Sequence, residues 1–201
     1  MTVLKIYKVY PDVKIPKHQT EQSACFDLSF YGVNHLPVKG FTATNKPIER
    51  LINPQNQSFT ISPGDRMMVP TGMILDIPEG YSVRVHARSG LSLKQGLVLA
   101  NAEGVIDADY VNELMVLVHN ISQNNITIKN GDRIAQAELV KSESYVVEET
   151  SVRPIFKSSR TGGMGSTGVD VTDPSVIKIS VAMPQPEKRG RGRPKKVLTN
   201  A

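Results

Sequence analysis

The sequence predicts an all-β protein, a sandwich or barrel of short strands. Three observations predict it. Thirteen Pro and fifteen Gly in 201 residues favour frequent turns over long helices. Short aliphatic runs, several alternating at period two, recur between Gly, Asn and Asp. Aromatics make up 5% of the chain and there is no Trp, so the core must be mostly aliphatic.

The elements follow in order. Val3-Leu4-Lys5-Ile6-Tyr7-Lys8-Val9-Tyr10 alternates apolar and polar and reads as a half-buried strand. Residues 24–33 read as a second strand, bearing Asp27. Residues 34–57 are rich in Asn, Pro and Lys with little periodicity, which predicts a surface insertion. Phe59-Thr60-Ile61-Ser62-Pro63-Gly64-Asp65-Arg66 returns in altered form as Ile126-Thr127-Ile128-Lys129-Asn130-Gly131-Asp132-Arg133. Each copy reads as strand, Gly-Asp turn, strand, and similar hairpins on opposite parts of one barrel would account for the echo. Residues 67–77 and 81–87 add strands. Residues 89–95 predict one short helix with Gly96 as its stop. Gly96-Leu97-Val98-Leu99-Ala100 and Glu113-Leu114-Met115-Val116-Leu117-Val118 read as buried strands. The arm between them holds Asn101, Asp107, Asp109 and Tyr110, in the manner of a rigid binding site. The pattern fades from residue 142, and residues 158–168 are Gly- and Ser-rich, like a mobile arm.

The formal charge of +5 is unevenly distributed. Residues from 184 onward hold six Lys or Arg against one Glu, whereas residues 1–183 carry eighteen of each sign. The body is therefore neutral and only the tail offers charge to nucleic acid. A single cysteine rules out an internal disulfide and suits a reducing compartment. Four His and one Cys at scattered spacings offer no zinc cluster. No apolar run spans a bilayer and no signal peptide is visible, so a soluble, cytoplasmic protein without membrane contact is expected.

Gly104-Val105-Ile106-Asp107-Ala108-Asp109-Tyr110 resembles the third motif of the trimeric dUTPases, the dUTP nucleotidohydrolases. Ala24-Cys25-Phe26-Asp27-Leu28 resembles the first motif, Ala87-Arg88-Ser89-Gly90-Leu91 the second and Gly131-Asp132-Arg133-Ile134-Ala135-Gln136 the fourth. Gly162-Gly163-Met164-Gly165-Ser166-Thr167-Gly168 resembles the fifth. The resemblance implies a dUTPase domain over residues 1–168, a distorted jelly-roll barrel assembled as a homotrimer with a swapped C-terminal arm at 158–168. Residues 169–201 are left as a disordered basic tail. The implied reaction is hydrolysis of dUTP to dUMP and pyrophosphate by water attack on the α-phosphorus, limiting uracil in DNA and supplying dUMP.

The residue roles follow from that resemblance. Asp107 orients and activates the water; otherwise an Asp between strands caps a turn. Tyr110 packs under deoxyribose and excludes a 2′-hydroxyl, or else fills the core. Asn101 offers one donor and one acceptor to uracil, with the backbone of Val105 and Ile106 beside it, or simply ends a strand. Arg88, Ser89 and Gly90 supply a cation, a hydroxyl and an open N–H to phosphate, and Gln136 a further donor. Asp27 holds Mg²⁺ through water. Arg133 and Asp132 are expected to form a structural pair. In the arm, Arg160, Met164, Gly165, Ser166 and Thr167 reach the substrate, since Gly permits close wrapping; a flexible linker is the plain alternative.

Four departures stand out from the family pattern. Cys25 replaces the usual Gly, and Val111-Asn112 replaces Arg-Gly, Asn112 being tolerant of a left-handed turn. Met164 replaces a stacking Phe, and Arg160 lies one residue closer to Gly162-Gly163 than usual, with Ser159 in the expected place. Two other functions compete. One is a dCTP deaminase relative, for which only Glu103 lies near Asn101. The other is a regulatory nucleotide-binding protein. Lys188-Arg189-Gly190-Arg191-Gly192-Arg193-Pro194-Lys195-Lys196 resembles an AT-hook for A·T-rich DNA and equally a solvated basic tail.

Overall fold

The computed structural model describes residues 2–32, 36–155 and 157–158. The chain forms two compact units, Met1–Val146 and Val147–Ala201. The first holds every strand and helix among the described residues. In order these are β1 (Lys5–Lys8), β2 (Phe26–Ser29), β3 (Val38–Phe41), β4 (Pro47–Arg50), β5 (Ser58–Ile61), β6 (Arg66–Pro70), β7 (Met73–Asp76) and β8 (Tyr81–Ala87). Helix α1 (Ser89–Gln95) follows, then β9 (Leu97–Leu99), β10 (Gly104–Ile106), β11 (Met115–Asn120), β12 (Ile126–Lys129) and β13 (Arg133–Lys141).

All pairings are antiparallel. One sheet has the order β10-β8-β13-β2 and another β4-β3-β6-β11-β9, with β1-β7 and β12-β5 as two-stranded pairs. Alternation sets the faces. In β11, Val116, Val118 and Asn120 are buried while Met115, Leu117 and His119 point outward. In β2, Phe26 and Leu28 are buried and Asp27 points outward. The inward side chains make one aliphatic cluster, including Leu28, Ile61, Val69, Val83, Val116 and Ile128. Each fully buried aliphatic of this kind is worth about 1.5–3 kcal/mol, enough in sum to fix the strand registers.

Two sequence expectations need correction. Residues 34–57 are more than surface insertion: β3 and β4 form a hairpin whose inner strand pairs with β6, and Val38 is buried. Gly40 hid this strand, since Gly weakens a strand pattern; it is required because a Cβ there would lie 2.1 Å from the Arg66 carbonyl. The echoing hairpins do not sit on opposite parts of the molecule. Their first strands pair directly, Ile61 with Ile126 and Phe59 with Ile128. Both Gly-Asp turns use a left-handed Gly, at φ 77° for Gly64 and 88° for Gly131.

Helix α1 forms at the expected residues and ends on Gly96, whose φ of 71° releases its N–H to Ser92 O and turns the chain into β9. No helix among the described residues is long and apolar enough to cross a membrane. The described part of the second unit has no helix or strand, and Val147, Val152 and Ile155 are largely exposed.

Candidate active site

Strands β2, β8 and β13 bring the first, second and fourth motifs together. Asp27 faces Gln136 in the β2–β13 ladder, and Gln136 faces His86 in β8. Arg88 leaves the end of β8 and precedes α1. Its Nε lies 2.9 Å from Asp27 Oδ1, and Arg133 Nη1 lies 2.9 Å from Asp27 Oδ2. Arg88 Nη1 also donates to the Arg133 carbonyl at 3.0 Å. Gln136 Nε2 donates to the Ala87 carbonyl at 3.0 Å, which leaves a second N–H. Ser89 and Gly90 open α1, and nothing lies within 4 Å of a Cβ built on Gly90. These residues line a polar cavity of about 400 Å³ with Gln19, Ser23 and Cys25.

Arg133 is the group that sequence reading misplaced. Asp132 does not pair with it; its carboxylate accepts the Lys129 N–H at 2.8 Å and caps the turn. A register shift between Arg133 and Ala135 explains the difference. With Ile134 and Ala135 both buried, this bulge turns Arg133 to the face of Asp27 and Gln136. The sequence signals it only weakly through the adjacent apolar pair Ile134-Ala135, since the similar pair Leu139-Val140 carries no register shift.

The third motif bridges both main sheets. β9 and β11 pair in the five-stranded sheet, whereas β10 pairs with β8 in the other, Gly104 opposite Val85 and Ile106 opposite Val83. Gly104 allows a close approach here: a Cβ would stand 3.1 Å from Val85 Cβ and 3.4 Å from Asn101 Nδ2. The N–H of Glu103 donates to the Asn101 carbonyl at 2.7 Å, a γ-turn centred on Ala102 at φ 61°. That is the rare, strained form of the turn, and it fixes Asn101 at the cavity rim. Asn112, expected to tolerate this conformation, does not adopt it. Asn101, Gly104, Val105, Ile106, Asp107 and Tyr110 line a second cavity of about 310 Å³, floored by Leu99, Val116 and Leu117. The Asp107 carboxylate makes no hydrogen bond or ion pair among the described residues, so it caps no turn there.

The two cavities share no lining residue. Of the predicted site residues, Asp27, Arg88, Ser89, Gly90 and Gln136 line the first, and Asn101, Val105, Ile106, Asp107 and Tyr110 the second. Arg160, Met164, Gly165, Ser166 and Thr167 lie outside the described residues, as does the tail. Glu103 turns away from the second cavity toward Arg84 at 3.4 Å and His86 at 3.8 Å. It is not placed for acid–base work on a pyrimidine beside Asn101. In the polar cavity, burial raises the Cys25 thiol pKa, helped by the charges of Glu138 and Asp27.

Comparisons with known proteins identify the family. The sequence profile of the dUTPase family matches residues 54–168. The deoxyuridine 5′-triphosphate nucleotidohydrolase of Caulobacter vibrioides is 35% identical over 159 residues, covering 79% of this chain and 88% of the relative. The fold matches the dUTPase of Staphylococcus bacteriophage 80alpha with dUpNHpp at a TM-score of 0.64 and 20% identity, over 84% of this chain and all of that one. It also matches a variant dUTPase from phage phi11 of S. aureus, with a structural Mg(II) ion, at a TM-score of 0.57 and 18% identity, over 75% and 98% of the two chains. By its sequence, this chain belongs to the dUTPase family.

Proposed function

We propose that this chain hydrolyses dUTP to dUMP and pyrophosphate at sites shared between the subunits of a homotrimer. One observation carries the reading: the nucleoside-sized cavity around Asn101, Asp107 and Tyr110 and the cationic cavity around Arg88 are separate in a single chain. A second subunit joins one to the other.

In this reading uracil meets the Asn101 amide and the backbone of Val105 and Ile106, and deoxyribose lies on the Tyr110 ring. Arg88, Ser89, Gly90 and Gln136 hold phosphate oxygens, and Arg133 adds a second guanidinium. Asp107 accepts a proton from water as the new oxygen–phosphorus bond forms at the α-phosphorus. The bond from that phosphorus to the α,β-bridging oxygen breaks, and its electron pair leaves with pyrophosphate. Arg160, Met164, Gly165, Ser166 and Thr167 close over the substrate from the arm of another subunit.

The donor set fits Mg²⁺ in one mode. Both Asp27 oxygens already accept a guanidinium N–H, and no cluster of three His, Cys, Asp or Glu among the described residues could cage a metal. Each oxygen keeps a lone pair, which suits a cation carried by the triphosphate and reached through water. Bound so, Mg²⁺ would neutralise charge on the phosphates.

A turnover assay with dUTP, dCTP and dTTP tests the function. Pyrophosphate release from dUTP alone is expected; release of ammonia from dCTP, or nucleotide binding with no turnover, would replace this reading with the deaminase or the regulatory one.

A second activity rests on the charge split of the sequence. The six cations after residue 184 suit the phosphates of DNA, and Arg-Gly-Arg-Pro at 191–194 with its neighbours resembles a minor-groove hook. Deleting residues 184–201 should leave dUTP turnover unchanged and abolish salt-sensitive DNA binding. Equal affinity of the full chain for A·T-rich and G·C-rich duplex would reject the hook, and no binding near physiological salt would reject DNA contact altogether.

A further inference from the structure

We propose that Glu113 sets the selectivity for deoxyribose over ribose, as a positioning residue that fixes the Tyr110 ring. The inference rests on the reading of Tyr110 as the sugar-facing group. Tyr110 Oη donates to the Glu113 carbonyl at 3.1 Å. That carbonyl does not belong to a loose loop. Glu113 Oε1 accepts the Gly72 N–H at 2.7 Å, Thr71 Oγ1 donates to the Leu114 carbonyl at 2.7 Å, and the Leu114 N–H donates to the Met73 carbonyl at 2.8 Å. Three hydrogen bonds thus staple residues 113 and 114 to the turn between β6 and β7.

The turn is itself rigid. Thr71 and Leu114 are buried, and Gly72 sits at φ 70° where a Cβ would lie 2.6 Å from Val13 Cγ2. Between the staple and the ring the chain is open: Val111 is 69% exposed, and neither Val111 nor Asn112 makes a hydrogen bond among the described residues. The restraint on the ring's hydroxyl end therefore runs through the planar Glu113–Leu114 peptide, held by the Leu114 N–H on the Met73 carbonyl and, through the Glu113 side chain, by the Gly72 amide. The Glu113 carboxylate lines no part of the nucleoside cavity, so it acts on the substrate only through Tyr110. Excluding one hydroxyl is a matter of about 1 Å, and a ring free to tilt by that much loses the exclusion while keeping its apolar contact.

The test compares kcat/KM for dUTP and UTP in the full chain and in Tyr110→Ala, Glu113→Ala and Glu113→Gln. Glu113→Ala should lower the dUTP-to-UTP ratio by at least about tenfold, chiefly by improving UTP. Glu113→Gln should keep the ratio, because its amide oxygen still accepts the Gly72 N–H. If Glu113→Ala does not fold, Glu113→Asp, one methylene short of Gly72, serves in its place with the same expectation. An unchanged ratio in Tyr110→Ala would overturn the sugar-facing reading. A changed ratio in Tyr110→Ala with an unchanged one in Glu113→Ala or Glu113→Asp would overturn this inference alone.

Discussion

Asp107 and Asp27 are two carboxylates in opposite surroundings, one exposed and one largely covered between guanidiniums. Asp27 is held by two guanidiniums at 2.9 Å and keeps Arg88 and Arg133 at the polar cavity. Asp107 has no such partner among the described residues, as the proposed role of proton acceptor requires. A carboxylate whose two oxygens are both engaged has less room for a water than one with no partner. Asp107→Asn preserves shape and removes basicity. It should leave dUTP binding within about tenfold and lower kcat by at least about a hundredfold. Equilibrium binding beside steady-state turnover checks the split, and near-wild-type turnover would remove Asp107 from the mechanism. That these two carboxylates belong to separate motifs was legible only through resemblance. Arg133 was not legible, because a one-residue bulge reverses the face of every side chain before it.

At the scale of elements, strands, the short helix and its Gly96 stop were legible because apolar spacing and turn residues are local signals. The β3–β4 hairpin was not, since its stability is tertiary. Arg50 of β4 reaches across to Asp65 in the Gly-Asp turn at 2.8 Å, and that carboxylate is almost fully buried. Arg50→Ala would strand a buried charge. The expected loss is about 2–3 kcal/mol, below the full cost for a buried pair because Arg50 is partly solvated. Denaturant unfolding measures it, and a loss under about 0.5 kcal/mol would mean that the hairpin is a dispensable surface insertion. The turn behind β2 carries a second charge effect. Tyr31 Oη donates to Asp12 Oδ1 at 2.5 Å and its ring stacks on Tyr10 at 5.0 Å. Burial first, then this hydrogen bond, raises its pKa from 10.0 to about 12. The folded state holds that proton more tightly, so the stabilisation is complete below pH 10.0 and disappears as pH rises through about 12. Ultraviolet titration should show one tyrosinate forming late, and Tyr31→Phe should remove that step.

At the scale of the whole molecule, one chain divides the predicted site residues between two cavities. The cavity around Asn101 and Asp107 lies against β8, β10 and β11, the polar cavity around Arg88 against β2, α1 and β13, and the predicted arm begins at residue 158. Tyr145, Val146, Val147, Val152 and Ile155, leading toward that arm, are each more than 70% exposed. Apolar side chains left in water in such a run suit burial on another subunit. A trimer in which each site takes Asp107 from one chain and its arm from another makes a specific demand on mixtures. Asp107→Asn subunits retain their arms but have no base. Subunits truncated after Ser158 retain the base but have no arm. Each alone should turn over dUTP poorly, and neither should improve on standing. Mixed under conditions that allow subunit exchange, they should recover a fraction of activity set by the proportion of sites that draw a base from the truncated chain and an arm from the other. Sedimentation of the unmixed full chain should give three times the monomer mass at micromolar concentration. A monomer with full activity, or a trimer whose mixtures recover nothing despite exchange, would place each site within one chain.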